Sequence, residues 1–241
     1  MHHLLIVGPY CADDFKWIGA FRHRMWRWGY FPAVPETISR PENEVPVILW
    51  AGRMLDWKRV DLLVRAAAWV RARRAHFRLR LMGYGPEESR LRALVARLGL
   101  LDVCEFIPPH PPEEVGKAME HADIYVLPSN RQEGWGAVVN EAMSRGCCVI
   151  GSKSAGSVPW LIQDGVNGHI FEGNRVEDLG RILLYCIQNP DHTRQMGLAA
   201  RATMLNLWSP EVAAERLLRL CDALERGESS PFDDDGPCSP A

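Results

Sequence analysis

The sequence predicts an α/β fold: a Rossmann-like, doubly wound parallel sheet. Two observations carry this. Short apolar runs of strand type alternate with longer amphipathic stretches through most of the chain, the pattern of β–α units with helices on both faces of a parallel sheet. Crossovers between parallel strands are right-handed, which winds such units into a Rossmann-like layer. The 241 residues, 47% apolar and 24% charged, have the composition of an ordinary globular protein and enough length to bury a core.

The elements follow in order. Pro46 to Gly52 (PVILWAG) reads as a buried strand, and Asp61 to Arg74 as a helix with its arginines outward. Phe77 to Gly83 alternates like a strand, Glu87 to Leu98 is helical and Val103 to Ile107 is a short strand. Pro112 to His121 is a helix opened by proline, which lacks only an N–H that would have had no partner there. Asp123 to Leu127 and Cys147 to Gly151 are strands on either side of a helix over Ala137 to Arg145. A short helix near Val158 to Gln163 and a strand at Gly168 to Phe171 follow. Val176 to Gln188, Asp191 to Leu205 and Pro210 to Arg226 complete the helices.

This divides the chain into residues 46–226, the main domain, and two ends. Residues 1–45 hold one strand-like run, Leu4 to Gly8, and an aromatic, basic stretch, FRHRMWRWGYFP. They read as an edge element plus linker, with the aromatics packed on this domain or on a neighbour. Residues 227–241 (GESSPFDDDGPCSPA) are acidic and rich in Ser, Pro and Gly, and read as a disordered tail.

Charge and cysteines narrow the function classes. A net charge of −2 does not mark a nucleic-acid binder. No apolar run reaches the ~18 residues of a membrane span, and the N-terminus lacks the features of a signal peptide. The seven cysteines form no C-x-x-C pair and mostly sit in apolar runs, so they read as buried thiols rather than zinc ligands or redox centres. No metal site is expected. The expected compartment is the cytoplasm. The basic stretch Arg22 to Arg27 reads as linker packing or as a peripheral contact with a membrane surface.

Ligands of such sheets bind beyond the C-terminal ends of the strands, which directs attention to the loops Arg53–Arg59, Gly83–Pro86, Pro108–Pro111, Pro128–Gly136 and Ser152–Ser157. Gly52, Arg53 and Lys58 stand in the first. Arginine offers a fork and lysine a point charge to a phosphate, although two solvated surface cations read equally well. Glu133 and Glu141, with seven residues between them, fall in a strand-end loop and in the next helix. Carboxylates accept from sugar hydroxyls, Gly134 and Gly136 let backbone approach a ligand, and the helix start favours an anion. Both glutamates also fit as ordinary helix-start and helix-surface residues. Gly83-Tyr84-Gly85-Pro86 is a tight turn that admits a nucleotide or is only a turn. His110 lies in a candidate site loop. No G-x-G-x-x-G follows the first strong strand, which argues against a dinucleotide enzyme.

In sequence order these segments are AGR…K, G-x-G-P, a strand followed by PP, ADIYVLPS, EGWGAVVNEAMSRG, CVIGSKSAG and DGVNGHIF. Together they resemble the C-terminal domain of retaining glycosyltransferases of the GT-B fold, of the family-four or group 1 type, over roughly Val47 to Trp208. The resemblance implies a single half of a GT-B fold that binds a nucleotide-diphosphate sugar, linked to uracil, guanine or adenine. It implies a hexose transferred with retention and without metal or other cofactor. Arg53 and Lys58 match the family's cations on the donor diphosphate. Glu133 matches the first glutamate of E-x7-E, which contacts the donor sugar, and Glu141 the second, which holds the ribose hydroxyls. Ser129 and the backbone of Gly134, Trp135, Gly136, Ala137 and Val138 would lie against sugar and phosphates, with Gly52 and Gly83 beside them. Ile107 and His110 would face the base.

Two departures stand out. The family usually has Gly-Gly and then Pro-Glu near Gly156 to Trp160, where this chain reads AGSVPWL. A whole GT-B enzyme also has two halves, and residues 1–45 resemble only the last strand and linker of the first. The acceptor-binding half, for a glycan or lipid-linked acceptor, is then expected as a separate domain, and this chain alone as inactive in transfer. The alternatives are a non-catalytic nucleotide-binding or interaction module and a half of a sugar-nucleotide epimerase, which E-x7-E fits less well.

Overall fold

Val47 to Ala51 are buried on both faces of their strand, which only the middle of a covered parallel sheet provides. The computed structural model describes residues 2–241. Its main sheet has six strands: β3 (Val47–Arg53), β4 (Arg78–Tyr84), β5 (Cys104–Ile107), β6 (Ile124–Leu127), β7 (Cys148–Ser152) and β8 (Gly168–Phe171). They lie in the order β5-β4-β3-β6-β7-β8 with every pair parallel. This order starts in the middle, runs to one edge and returns past its own start, so the sheet is the doubly wound type expected.

Alternate residues of each strand supply two cores. Ile48 and Trp50, with Leu79, Leu81, Ile124 and Val126, pack under α2 (Val60–Arg71), α3 (Glu88–Arg97) and α7 (Val176–Gln188). Val47, Leu49 and Ala51, with Tyr125, Leu127 and Val149, pack under α4 (Pro112–Glu120), α5 (Val138–Ser144), α6 (Val158–Leu161) and part of α8 (Pro190–Asn206). Each fully buried leucine or isoleucine here contributes roughly 1.5–3 kcal/mol of transfer free energy.

The N-terminal segment departs from the expectation of one edge strand plus linker. β1 (Leu4–Val7), α1 (Pro9–Trp17) and β2 (Met25–Trp28) form a parallel β–α–β unit, with Leu4 opposite Met25 and Val7 opposite Trp28. This two-stranded sheet is separate from the main one. Leu4, Ile6 and Met25 face α1. Leu5, Trp26 and Trp28 face α9 (Pro210–Glu225) and the C-terminal residues. The aromatics that follow pack on the main domain: Phe31 stacks on Trp208 at 5.8 Å between ring centres, and Tyr30 lies 6.5 Å from Trp135.

Residues 227–241 correct the expectation of a disordered tail. They form no helix or named strand, yet they run antiparallel along the open edge of β2. The Cys238 N–H donates to the Arg27 carbonyl at 2.8 Å, Arg27 N–H to Ser239 at 2.8 Å, and Ala241 N–H to Met25 at 3.1 Å. Asp234 accepts both arms of the Arg216 guanidinium, which is only 6% exposed, and Phe232 stacks against that guanidinium. Composition misses this because the segment's order comes from its partners: a buried cation that needs a counter-ion, and an indole, Trp26, that needs cover.

Candidate functional site

The reversal of strand order leaves a crevice between the ends of β3 and β6, and a cleft of about 390 Å³ opens there. Its inner wall begins at Gly52 and Arg53, the last residues of β3. Gly83 lies beside Gly52 at a φ of +134°, and a Cβ on it would stand 1.9 Å from the Gly52 carbonyl oxygen. Only glycine lets the two strand ends close in this way. Past Arg53 the chain tightens into a 3-10 turn over Asp56–Lys58. The Asn130 N–H donates to the Trp57 carbonyl at 2.9 Å and ties this turn to the loop after β6.

That tie brings Lys58 to Glu133. The ammonium contacts Glu133 Oε2 at 2.5 Å, and the Ser129 hydroxyl donates to the same oxygen at 2.8 Å. Ser129 is fully buried, Glu133 is 8% exposed, and the Lys58 ammonium also lies over the Trp57 ring at 4.4 Å. Glu133 Oε1 accepts no hydrogen bond from the described residues. Arg53 is exposed and makes no ion pair among the described residues.

Gly136, at a φ of +82°, turns the chain from this loop into α5. Glu141 stands in the first turns of that helix and reaches the same cleft. Burial pushes its carboxyl above the usual range, with Arg145 opposing. The outer wall is the loop after β5 and the start of α4, where Pro109, His110 and Pro112 line the cleft together with the glutamates. The cleft therefore offers two cations, one of them paired with a carboxylate, a second carboxylate and a half-apolar wall. That set suits a ligand with a phosphate, several hydroxyls and a flat ring. Among the described residues no group of three or more His, Cys, Asp or Glu is placed to hold a metal ion.

Ten of the fourteen candidate residues line this cleft: Gly52, Arg53, Lys58, Gly83, His110, Glu133, Gly136, Ala137, Val138 and Glu141. Four do not. Ile107 ends β5 and packs on the core below α4 and α5. Ser129 lies under Glu133 rather than on the surface. The Gly134 carbonyl abuts Gly156, where a Cβ would come within 1.9 Å. The Trp135 side chain turns away from the cleft. It is 4% exposed, donates to Asn140 Oδ1 at 2.8 Å and packs against Trp160 and Trp208. An indole is the largest side chain available to fill that hollow, so packing decides its direction. Met82, Tyr84 and Val115 also line the cleft. A position at the C-terminal end of β4, beside Gly83, was the available signal for the first two.

Trp160, one of the residues that depart from the family pattern, belongs to this aromatic cluster, and the Arg27 guanidinium lies 5.5 Å from its ring. A larger hollow, about 670 Å³, lies between β2 and the C-terminal residues and is lined by Lys16, Arg22, Trp26 and Phe232. It contains none of the candidate residues, and volume alone does not make a site.

Comparison with known proteins identifies the family and the fold. Residues 36–203 match the family described as glycosyl transferases group 1. A D-inositol 3-phosphate glycosyltransferase of Nocardia farcinica is 33% identical over 164 residues, which are 65% of this chain and 36% of that protein. A GDP-mannose-dependent monoacylated alpha-(1-6)-phosphatidylinositol monomannoside mannosyltransferase of Corynebacterium glutamicum is 29% identical over 216 residues, 82% of this chain and 54% of that one. The chain thus spans between about a third and a half of the length of these relatives. Among solved structures, the lipopolysaccharide outer core galactosyltransferase WaaB superposes with a TM-score of 0.79 at 19% identity, covering 92% of this chain and 62% of that one. HepE of Anabaena, in complex with UDP and glucose, gives 0.72 at 19% identity with the same coverage. Those two establish the shared fold, that of GT-B glycosyltransferases. By the extent of the family match, the chain belongs to the group 1 glycosyl transferases.

Proposed function

We propose that this chain is the donor half of a retaining glycosyltransferase, binding a nucleotide-diphosphate sugar from which a hexose passes to a glycan or lipid-linked acceptor. The observation that carries the reading is the convergence of Arg53, Lys58, Glu133 and Glu141 on one cleft at the point where strand order reverses. Arg53 and Lys58 neutralise the diphosphate and the charge that grows on it as the glycosidic bond breaks. Glu133 accepts from hydroxyls of the sugar through its unused oxygen, and Glu141 from the ribose. The His110 wall lies against the base. A leaving group held by fixed cations does not call for a bound metal. Transfer itself requires an acceptor-binding half, and a cytoplasmic setting supplies the nucleotide sugars.

Calorimetric titration of the chain with UDP, GDP and ADP and with their common sugar conjugates tests this. The expected result is saturable binding selective for one base and weakened in Glu141→Ala. A folded chain that binds none of them overturns the assignment.

A further inference from the structure

We propose that the Lys58–Glu133 pair makes the cleft prefer a nucleoside diphosphate that still carries its sugar over one that has lost it. The proposal rests on the donor-site reading above and adds to it the way the site tells substrate from spent product.

Charge alone predicts the opposite preference. Cleaving the glycosidic bond frees a terminal phosphate oxygen, so the bare diphosphate is the more negative of the two. Arg53 and Lys58 by themselves would hold it more tightly. Glu133 reverses this order. In the free chain its carboxylate is shielded, and its charge is met by the Lys58 ammonium and the Ser129 hydroxyl, both on Oε2. A diphosphate beside Lys58 draws on that ammonium. Glu133 then shares the ammonium charge with a phosphate of its own sign, while its own side chain stays largely shielded from water, an arrangement that disfavours binding. A sugar on the diphosphate eases the conflict, because its hydroxyls donate to Oε1 and make up for the shared ammonium. The carboxylate is therefore satisfied with the cleft empty and with the sugar present, and poorly satisfied with the bare diphosphate. Ser129 acts here as a positioning residue, since its hydroxyl fixes Oε2 and leaves Oε1 turned toward the incoming sugar.

The test is calorimetric titration of the wild-type chain, Glu133→Gln, Glu133→Ala and Ser129→Ala at one salt concentration. The probes are UDP against UDP-glucose, GDP against GDP-mannose and ADP against ADP-glucose, with circular dichroism to verify folding. The wild-type chain is expected to bind the sugar conjugate of its base more tightly than the bare diphosphate. Both Glu133 variants, having lost the charge by different routes, should bind the bare diphosphate about fivefold tighter than wild type and lose about tenfold of the preference. Ser129→Ala keeps the charge and should gain nothing on the bare diphosphate while weakening on the conjugate. Nucleotide binding that persists with the Glu133 variants no tighter for the bare diphosphate overturns this proposal and leaves the donor-site reading standing. Folded chains that bind no nucleotide at all overturn both.

Discussion

Two ion pairs of this chain look alike on distance and differ in what surrounds them. Lys58–Glu133 and Arg216–Asp234 both close to 2.5 Å, and each includes a side chain that is less than a tenth exposed. Arg216 and Asp234 turn nearly all their capacity on each other and on the tail, leaving only the buried Nε–H of Arg216 without a partner. The guanidinium is bidentate, Ser239 adds a further hydroxyl, and the Gly236 N–H donates to the carboxylate. That one spare donor is sealed from solvent, and the effect of the pair is to hold residues 227–241 against β2. Lys58 and Glu133 keep spare capacity, namely two N–H groups and one carboxylate oxygen at the wall of a cleft. The difference teaches that burial and a short contact do not distinguish a structural pair from a functional one. Unspent hydrogen-bonding capacity facing a cavity does.

Removing both cleft cations should break this contrast most sharply. Arg53→Ala combined with Lys58→Ala is expected to cost about 3–5 kcal/mol of affinity for a nucleoside diphosphate and little for the free nucleoside. Equal weakening of the two ligands in a titration would remove the phosphate role. Glu141→Ala should cost about 1–3 kcal/mol of nucleotide affinity with the fold intact, and unchanged affinity would dissociate Glu141 from the ribose.

On the other side of the comparison, Asp234→Ala should destabilise the chain by about 1–2 kcal/mol. This figure is discounted because the carboxylate is half exposed, and the change should lower Tm by a few degrees. Nucleotide affinity should stay where it was, and a coupled loss would mean that the tail and the cleft communicate.

The smallest expected effect is on pH dependence, where the two sites move oppositely. The Arg216 guanidinium holds the Asp234 carboxyl well below the usual range. Its stabilisation is therefore complete above the unfolded value near ~4 and is lost as pH falls below it. Burial raises the Glu141 carboxyl, so its ionisation costs stability at neutral pH and protonation on acidification relieves that cost. Nucleotide affinity should consequently begin to fall at a higher pH than tail packing does. Parallel titrations of binding and of Trp26 fluorescence measure the two, and a coincident midpoint would contradict the assignment of causes.

The sheet was legible because its strands are apolar on both faces and its helices are periodic. β3 and β4 were each placed within a residue of their ends, and α7 at both of its ends. The loop residues of the cleft were legible because strand ends are where such sheets place ligands. β2 was not. Its four residues, MWRW, carry no long period, and they become a strand only because α9 and the C-terminal residues cover Trp26 and Trp28. Trp135 was readable as a member of the site loop, but not in the direction of its ring. That direction depends on Trp160 and Trp208, which are distant in sequence.

The strand order also bears on how the chain is made. Synthesis delivers β3, then β4 and β5, all on one side, and only afterwards β6, which takes the other side of β3. Until Ile124 to Leu127 have left the ribosome, one flank of Val47 to Arg53 presents unpaired amides beside apolar side chains. Such a flank pairs readily with any other extended chain. A nascent chain stalled between α3 and β6 therefore carries an open flank in the middle of its future sheet, and slowing translation across that stretch should reduce soluble yield more than slowing it after β8, when every inner flank is paired.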